Sequence, residues 1–198
     1  MKTAAFFLTV LAPVAFAEKY SIDSPHAAAE FAVKHMMVST VRGNLGKISG
    51  TVDYDPANVG ATRIEAQVDV KGLSTRNDQR DTHLKSADFF DADKFPTITF
   101  VSKSVAAAGA GHLKVTGDLT IKGVTKQVVL DVEGPTPPLK DQRGSSRIGA
   151  TATTKINRMD YGVNWNRVVS NGVVVSEDVV ITLDLELVSA PPGGKQGN

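Results

Sequence analysis

Apolar and polar residues alternate with a period of two through most of the chain, and this confines it to strands. In 29–37, Ala29, Phe31, Val33, His35 and Met37 share one parity, while Glu30, Ala32 and Lys34 take the other. Ile48, Val52 and Tyr54 alternate with Lys47, Ser49, Thr51 and Asp53. Ile64, Ala66, Val68 and Val70 alternate with Arg63, Glu65, Gln67 and Asp69. The period returns at Ile98 and Phe100, at Leu113, Val115, Leu119 and Ile121, and at Val128, Leu130 and Val132. It returns again at Ile148, Ala150, Ala152 and Ile156, and last at Val179, Ile181, Leu183, Leu185 and Leu187. Each such segment puts one face on an apolar interior and one in water. The pattern predicts an all-β fold, an antiparallel barrel or sandwich.

The connections agree. Lys122-Gly123 reads as a tight hairpin turn, and Asp55-Pro56-Ala57-Asn58 as a turn that uses the fixed φ of proline. Segments 106–111 and 134–144 read as loops. A single helix is expected at about 77–87, where it caps a barrel end; Arg80 with Asp81 or a nearby acid reads as a surface ion pair of little energy, or as part of a structured rim at the tunnel mouth. Residues 1–17 read as a cleaved signal peptide: Lys2, an apolar run from Ala4 to Ala12, then Ala15-Phe16-Ala17 before Glu18. A retained anchor is the alternative, but the run is too short to span a bilayer. The expected organisation is therefore a leader at 1–17, one barrel domain at 18–189 and a disordered Pro/Gly-rich tail at 190–198. A periplasmic location through the Sec route follows, in keeping with a chain that has no Cys.

Composition narrows the function classes. The 22 basic and 21 acidic residues leave a net charge of +1, which argues against a nucleic-acid partner held by a basic field. With no Cys and four His, none of them at metal-site spacing, no metal or cofactor is expected. No nucleophile elbow, zincin, P-loop or dinucleotide motif occurs. The inward parity carries several small residues, among them Gly50, Gly117, Ala66, Ala152 and Thr154. Small inward positions either pack against large ones or leave volume along the axis, and parity leaves both readings open. His35 stands on the same parity, either as a buried hydrogen-bonding residue of the core or as the polar contact of a ligand. Phe89, Phe90 and Phe95 read as a loop folded on the barrel end or a lid over it. Trp165 reads as an anchor or an entrance residue.

Longer motifs then carry a resemblance. They are Asp23-Ser24-Pro25-His26, the stretch from Phe31 to Gly43, Tyr54-Asp55-Pro56, Arg80 to Asp91, Phe95 to Phe100, Gly117 to Lys126, and Ile156-Asn157-Arg158-Met159-Asp160-Tyr161-Gly162-Val163. Over 19–188 the chain resembles the YceI-like polyisoprenoid-binding family, with Leu45 standing where an aromatic is common. The resemblance implies an extended eight-stranded antiparallel barrel, lipocalin-like, with a short helix near one end. It implies a periplasmic carrier that is not an enzyme and holds an isoprenoid lipid, a polyprenyl quinone or polyprenyl phosphate, in an apolar tunnel. The ligand-binding residues expected on the wall are Phe31, Val33, His35, Met37, Ile64, Val68, Phe89, Phe90, Ile98, Phe100, Leu119, Leu130, Ile181 and Leu183. An enzyme acting on a small apolar substrate, with His35 or His83 as acid–base, is the alternative. A homodimer and transient membrane contact are both compatible with the sequence.

Overall fold

The computed structural model describes residues 17–169 and 172–191. The expected leader, apart from Ala17, and the expected tail from 192 onward lie outside the described residues. The strands are β1 (Glu18–Ile22), β2 (Ala28–His35), β3 (Ser39–Asn44), β4 (Lys47–Tyr54), β5 (Arg63–Asp69), β6 (Thr97–Ala107), β7 (His112–Ile121) and β8 (Val124–Glu133). They continue as β9 (Leu139–Lys140), β10 (Ser146–Asn157), β11 (Val168–Val169), β12 (Gly172–Val173) and β13 (Val175–Ser189). The helix α1 (Asp78–Lys85) lies between β5 and β6.

All pairings are antiparallel, and the β10–β13 ladder closes the sheet on itself. β1 and β2 lie end to end along the same side of β13, with a one-turn 3-10 segment at Ser24–His26 between them. β3 and β4 follow one another in the same way beside them. Counted as single bent strands, these two pairs join β5, β6, β7, β8, β10 and β13 in a closed eight-stranded antiparallel barrel. Alternation leaves a barrel or a sandwich open; the architecture is the eight-stranded barrel that the family resemblance implies. Among the described residues β3 pairs only with β2, and its other edge is free apart from one bridge, Asn44 to Ser74, so it escapes the alternation. An edge strand has less need of an apolar face.

The two barrel ends differ. At one end lie Tyr54, Ala107, His112, Glu133, Ser146 and Ser189, and here the interior is filled by Tyr20, Val52, Val105, Val115, Ile148 and Leu187. At this end Arg147 draws in Asp23, Asp141 and Glu186. Asp23, His26 and Glu186 stand close enough to suggest a metal site, but the Arg147 guanidinium pairs with both acids, Nη1 at 2.7 Å from Asp23 Oδ2. The other end carries His35, Asp69, Thr97, Ile121, Asn157 and Val175, and residues from the connections 70–96 and 158–167 close over it. Here α1 begins at Asn77, whose Oδ1 accepts from the Arg80 N–H at 2.9 Å. Asp78 and Asp81 fall in its first turn and His83 and Lys85 in its last, each sign where the helix dipole favours it.

Arg80 and Asp81 do not pair with one another. Asp81 is buried and accepts from both the N–H and the hydroxyl of Thr75. Arg80 donates through Nε to Thr75 Oγ1 at 2.7 Å and through Nη2 to Thr75 O at 2.9 Å. The expected surface ion pair is therefore a relay through Thr75 that ties the 70–77 segment to the helix. Burial raises the Asp81 carboxyl, but the Thr75 hydrogen bonds outweigh it and hold the group below its ordinary range.

Candidate functional site

A cavity of about 120 Å³ occupies the capped half of the barrel. Its wall is almost entirely hydrocarbon. Phe31 and Val33 come from β2, Val68 from β5, Ile98 and Phe100 from β6, Leu119 from β7, Leu130 from β8, and Ile181 and Leu183 from β13. Phe89 and Phe90 come down from the cap. Roughly 10–15 Å³ of void admits one water-sized group, so the space takes on the order of ten carbon atoms, about two isoprene units.

Three of the residues expected on the wall stand elsewhere. His35 is exposed at the last position of β2, where it pairs with Val175 and Ser39, beyond the cavity. The strand expected to run through Met37 stops at His35, and Met37 is 58% exposed in the turn that follows. Ile64 packs in the filled half, paired with Val52. Period two says which face a residue takes, not how far along the axis it sits or where the strand ends: His35 and Ile64 are misplaced in depth, and Met37 lies past the end of its strand.

The free volume also has a different origin from the one the small residues suggest. A side chain on Gly117 would come within 2.4 Å of the Phe100 ring, so that ring already fills the space. At Gly50, φ is +153° and a Cβ would lie 2.2 Å from Glu65 O; the glycine serves a close backbone approach. Ala152 is 3% exposed in the filled half. Of the small inward residues, Ala66 and Thr154 are the ones that open onto the cavity.

The wall includes residues the sequence reading did not single out for the site. Ile48, Ala66, Ile121, Ile156 and Val179 lie on the inward parity already recognised, and Leu45, Leu84, Val163 and Val175 complete the apolar lining. Arg158 and Tyr161 are the less expected ones. Arg158 is 5% exposed and is the only charged residue lining the cavity among the described residues. Its guanidinium bonds to main-chain carbonyls: Nε to Ser176 O at 2.9 Å, Nη1 to Val163 O and to Trp165 O at 2.9 Å, and Nη2 to Val175 O at 3.3 Å. Two of these acceptors, Val175 and Ser176, stand at the start of a bulge in which residues 176–178 of β13 lie opposite Lys34 alone in β2. Desolvation lowers the Arg158 pKa, and no carboxylate pairs with it among the described residues. Burial pushes the Tyr161 phenol up to about 12, so that part of the wall stays neutral.

Aromatic packing holds the cap. His83 meets Phe89 and Trp165 edge-on, each at 5.0 Å between centroids, and Phe89 lies 5.2 Å from Trp165. His83 Nε2 is 2.9 Å from Asp88 Oδ2. Lys122 Nζ donates to Ala87 O at 2.9 Å, joining the β7–β8 turn to the cap. Trp165 therefore anchors the cap, and His83 lies outside the cavity lining.

Known proteins share both sequence and fold. The profile of the YceI-like domain matches residues 20–187. The UPF0312 protein SAS2572 of Staphylococcus aureus (strain MSSA476) is 38% identical over 161 residues, which is 81% of this chain and 91% of that one. Among solved structures, Burkholderia cenocepacia BcnA aligns with a TM-score of 0.71 and 25% identity, over 85% of this chain and 99% of that one. The Campylobacter jejuni YCEI protein aligns with a TM-score of 0.68 and 32% identity, over 79% of this chain and 90% of that one. A polyisoprenoid binding domain from Saccharophagus degradans shares the fold at a TM-score of 0.63 and 17% identity, over 88% of this chain and 99% of that one. With a barrel of the same architecture and a domain match across nearly all of it, the chain belongs to the YceI-like family.

Proposed function

We propose that the barrel carries an isoprenoid lipid, a polyprenyl quinone or polyprenyl phosphate, with its hydrocarbon chain in the cavity. The observation that carries this reading is a slim cavity walled by hydrocarbon, with a single charged residue, Arg158, on it. A hydrocarbon chain suits such a wall because every polar group placed against it goes unpaired. The description of the Saccharophagus degradans neighbour as a polyisoprenoid binding domain points the same way. About ten buried carbons supply a gross driving force of roughly 8 kcal/mol from water, against which the losses of freedom on binding must be set. A longer chain continues past Val33, Leu84 and Phe90, which are half-buried near the capped end.

The polar terminus of the lipid lies toward Arg158, whose Nη2 makes only one long bond to protein and keeps a hydrogen for a head-group oxygen. Neither histidine of the enzyme alternative lines the cavity, which favours a carrier over a catalyst. The carrier acts in the periplasm after export through the Sec route; intact mass of the exported protein then starts at Glu18, and a mass that retains residues 1–17 contradicts that location. Solvent extraction of the purified protein followed by mass spectrometry tests the cargo. The expected result is an intact prenyl lipid. An empty barrel, or only straight-chain acyl lipids, overturns the reading.

A further inference from the structure

The turn between β2 and β3 holds an exposed apolar tip in a backbone shape that its residues disfavour. Val38 N–H donates to His35 O at 3.0 Å, and the two central residues, Met36 and Met37, have φ of 48° and 60°. Left-handed φ at both central positions defines a type I′ turn, for which Asn-Gly is the favoured pair. Two methionines there give up backbone stability, and they do so without burial: Met36 is 47%, Met37 58% and Val38 85% exposed. A sequence that keeps a disfavoured backbone to present apolar groups to water points to a role outside the fold.

The tip is continuous with the cavity. The cavity wall ends on β2 at Val33 and on β13 at Val175, and Val175 pairs with His35, the residue that begins the turn. A second hairpin, β11–β12, stands beside it: Met36 N–H donates to Val174 O at 2.8 Å, and Val174 N–H to Arg167 O at 2.9 Å. Val168 on that hairpin is 89% exposed. Lys34 and Arg167, both exposed, flank the tip and form no ion pair among the described residues, while Glu177 on the bulge takes a hydrogen bond from Asn157.

We propose that Met36, Met37, Val38 and Val168 form a docking surface for an anionic lipid bilayer, seating the cavity end of the barrel on the membrane. The occupant follows from the cargo, so this rests on the isoprenoid reading: such a chain resides in a bilayer, and the apolar tip adjoins the cavity it must enter. Apolar side chains flanked by basic ones, here Lys34 and Arg167, suit the boundary between head groups and acyl chains.

The test uses the purified protein and vesicles of phosphatidylethanolamine with phosphatidylglycerol, free of isoprenoids, with pure phosphatidylcholine vesicles as the neutral control. The wild type floats with the anionic vesicles and less with the neutral ones. M36N/M37G/V38S, which installs the favoured turn pair, loses at least tenfold in vesicle partitioning while its melting temperature stays level or rises. Equal partitioning of wild type and variant overturns the proposal, as does a wild type that binds neither vesicle. A wild-type dimer that the variant abolishes overturns it too, because the tip then covers a second copy of the chain. Lipid extraction on the same samples separates the two readings. Isoprenoid present without vesicle binding sinks the docking surface alone; no isoprenoid sinks the carrier reading.

Discussion

Placing the same bulky ring in the two halves of the barrel separates a cavity from a packed core. Ala66 stands on β5 between Gly50 and Phe100 and lines the cavity. Ala152 stands on β10 between Val132 and Leu183, is 3% exposed, and does not line it. Alanine to phenylalanine adds about six ring carbons at either site, more than half of the roughly ten-carbon space at Ala66 and more than any space at Ala152. Ala66→Phe should leave stability within about 1 kcal/mol, because the ring fills a void rather than displacing neighbours. Ala152→Phe should overpack and cost about 1–3 kcal/mol. In a chain of this size that lowers the melting temperature by roughly 2–12 °C. Thermal unfolding and solvent extraction on both variants give the readout. Ala66→Phe loses most of its co-purifying lipid and melts normally; Ala152→Phe melts early and keeps its lipid. Equal destabilisation with lipid retained in both would refute the cavity.

Other perturbations bear on the cap and on the residues that sequence parity misplaced. Arg158→Lys offers three tetrahedral donors where a planar fork serves four carbonyls, and the unpaired acceptors should lower stability by about 1–3 kcal/mol in urea unfolding. Asp81 has a lowered native pKa, so its contribution is complete above the ordinary carboxylate pKa of about 4 and is lost as pH falls through the native value. Stability against pH should therefore fall on the acid side of about pH 4, and Asp81→Asn should flatten that slope. His35→Leu should leave both the melting temperature and the extracted lipid unchanged, because the side chain is exposed past the end of the cavity; an altered lipid profile would return His35 to the site.

Most of the barrel was legible because a half-buried strand must alternate. Parity placed Phe31, Val68, Ile98, Leu119, Leu130 and Ile181 on the inner face, and each lines the cavity. Depth was not legible, since the same period continues from filled half to cavity to solvent, as Ile64, Val33 and His35 illustrate. Nor was the compensation between small and large partners, in which Phe100 lies over Gly117. Arg158 gave no signal of its own within Ile156-Asn157-Arg158-Met159. Its role needs the β13 bulge and the 162–166 segment brought together, and neither carries a local pattern that announces it.

Photo-crosslinking with a short prenyl alcohol bearing a diazirine on its chain, mapped by peptide mass spectrometry, tests most directly whether the chain of an isoprenoid enters the barrel. The account predicts adducts on Phe31, Ile98, Phe100 and Leu183 from the cavity wall, competed away by unlabelled prenyl lipid. Adducts confined to exposed outer-face residues such as Val101 and Val129, with none on the cavity wall, would contradict it.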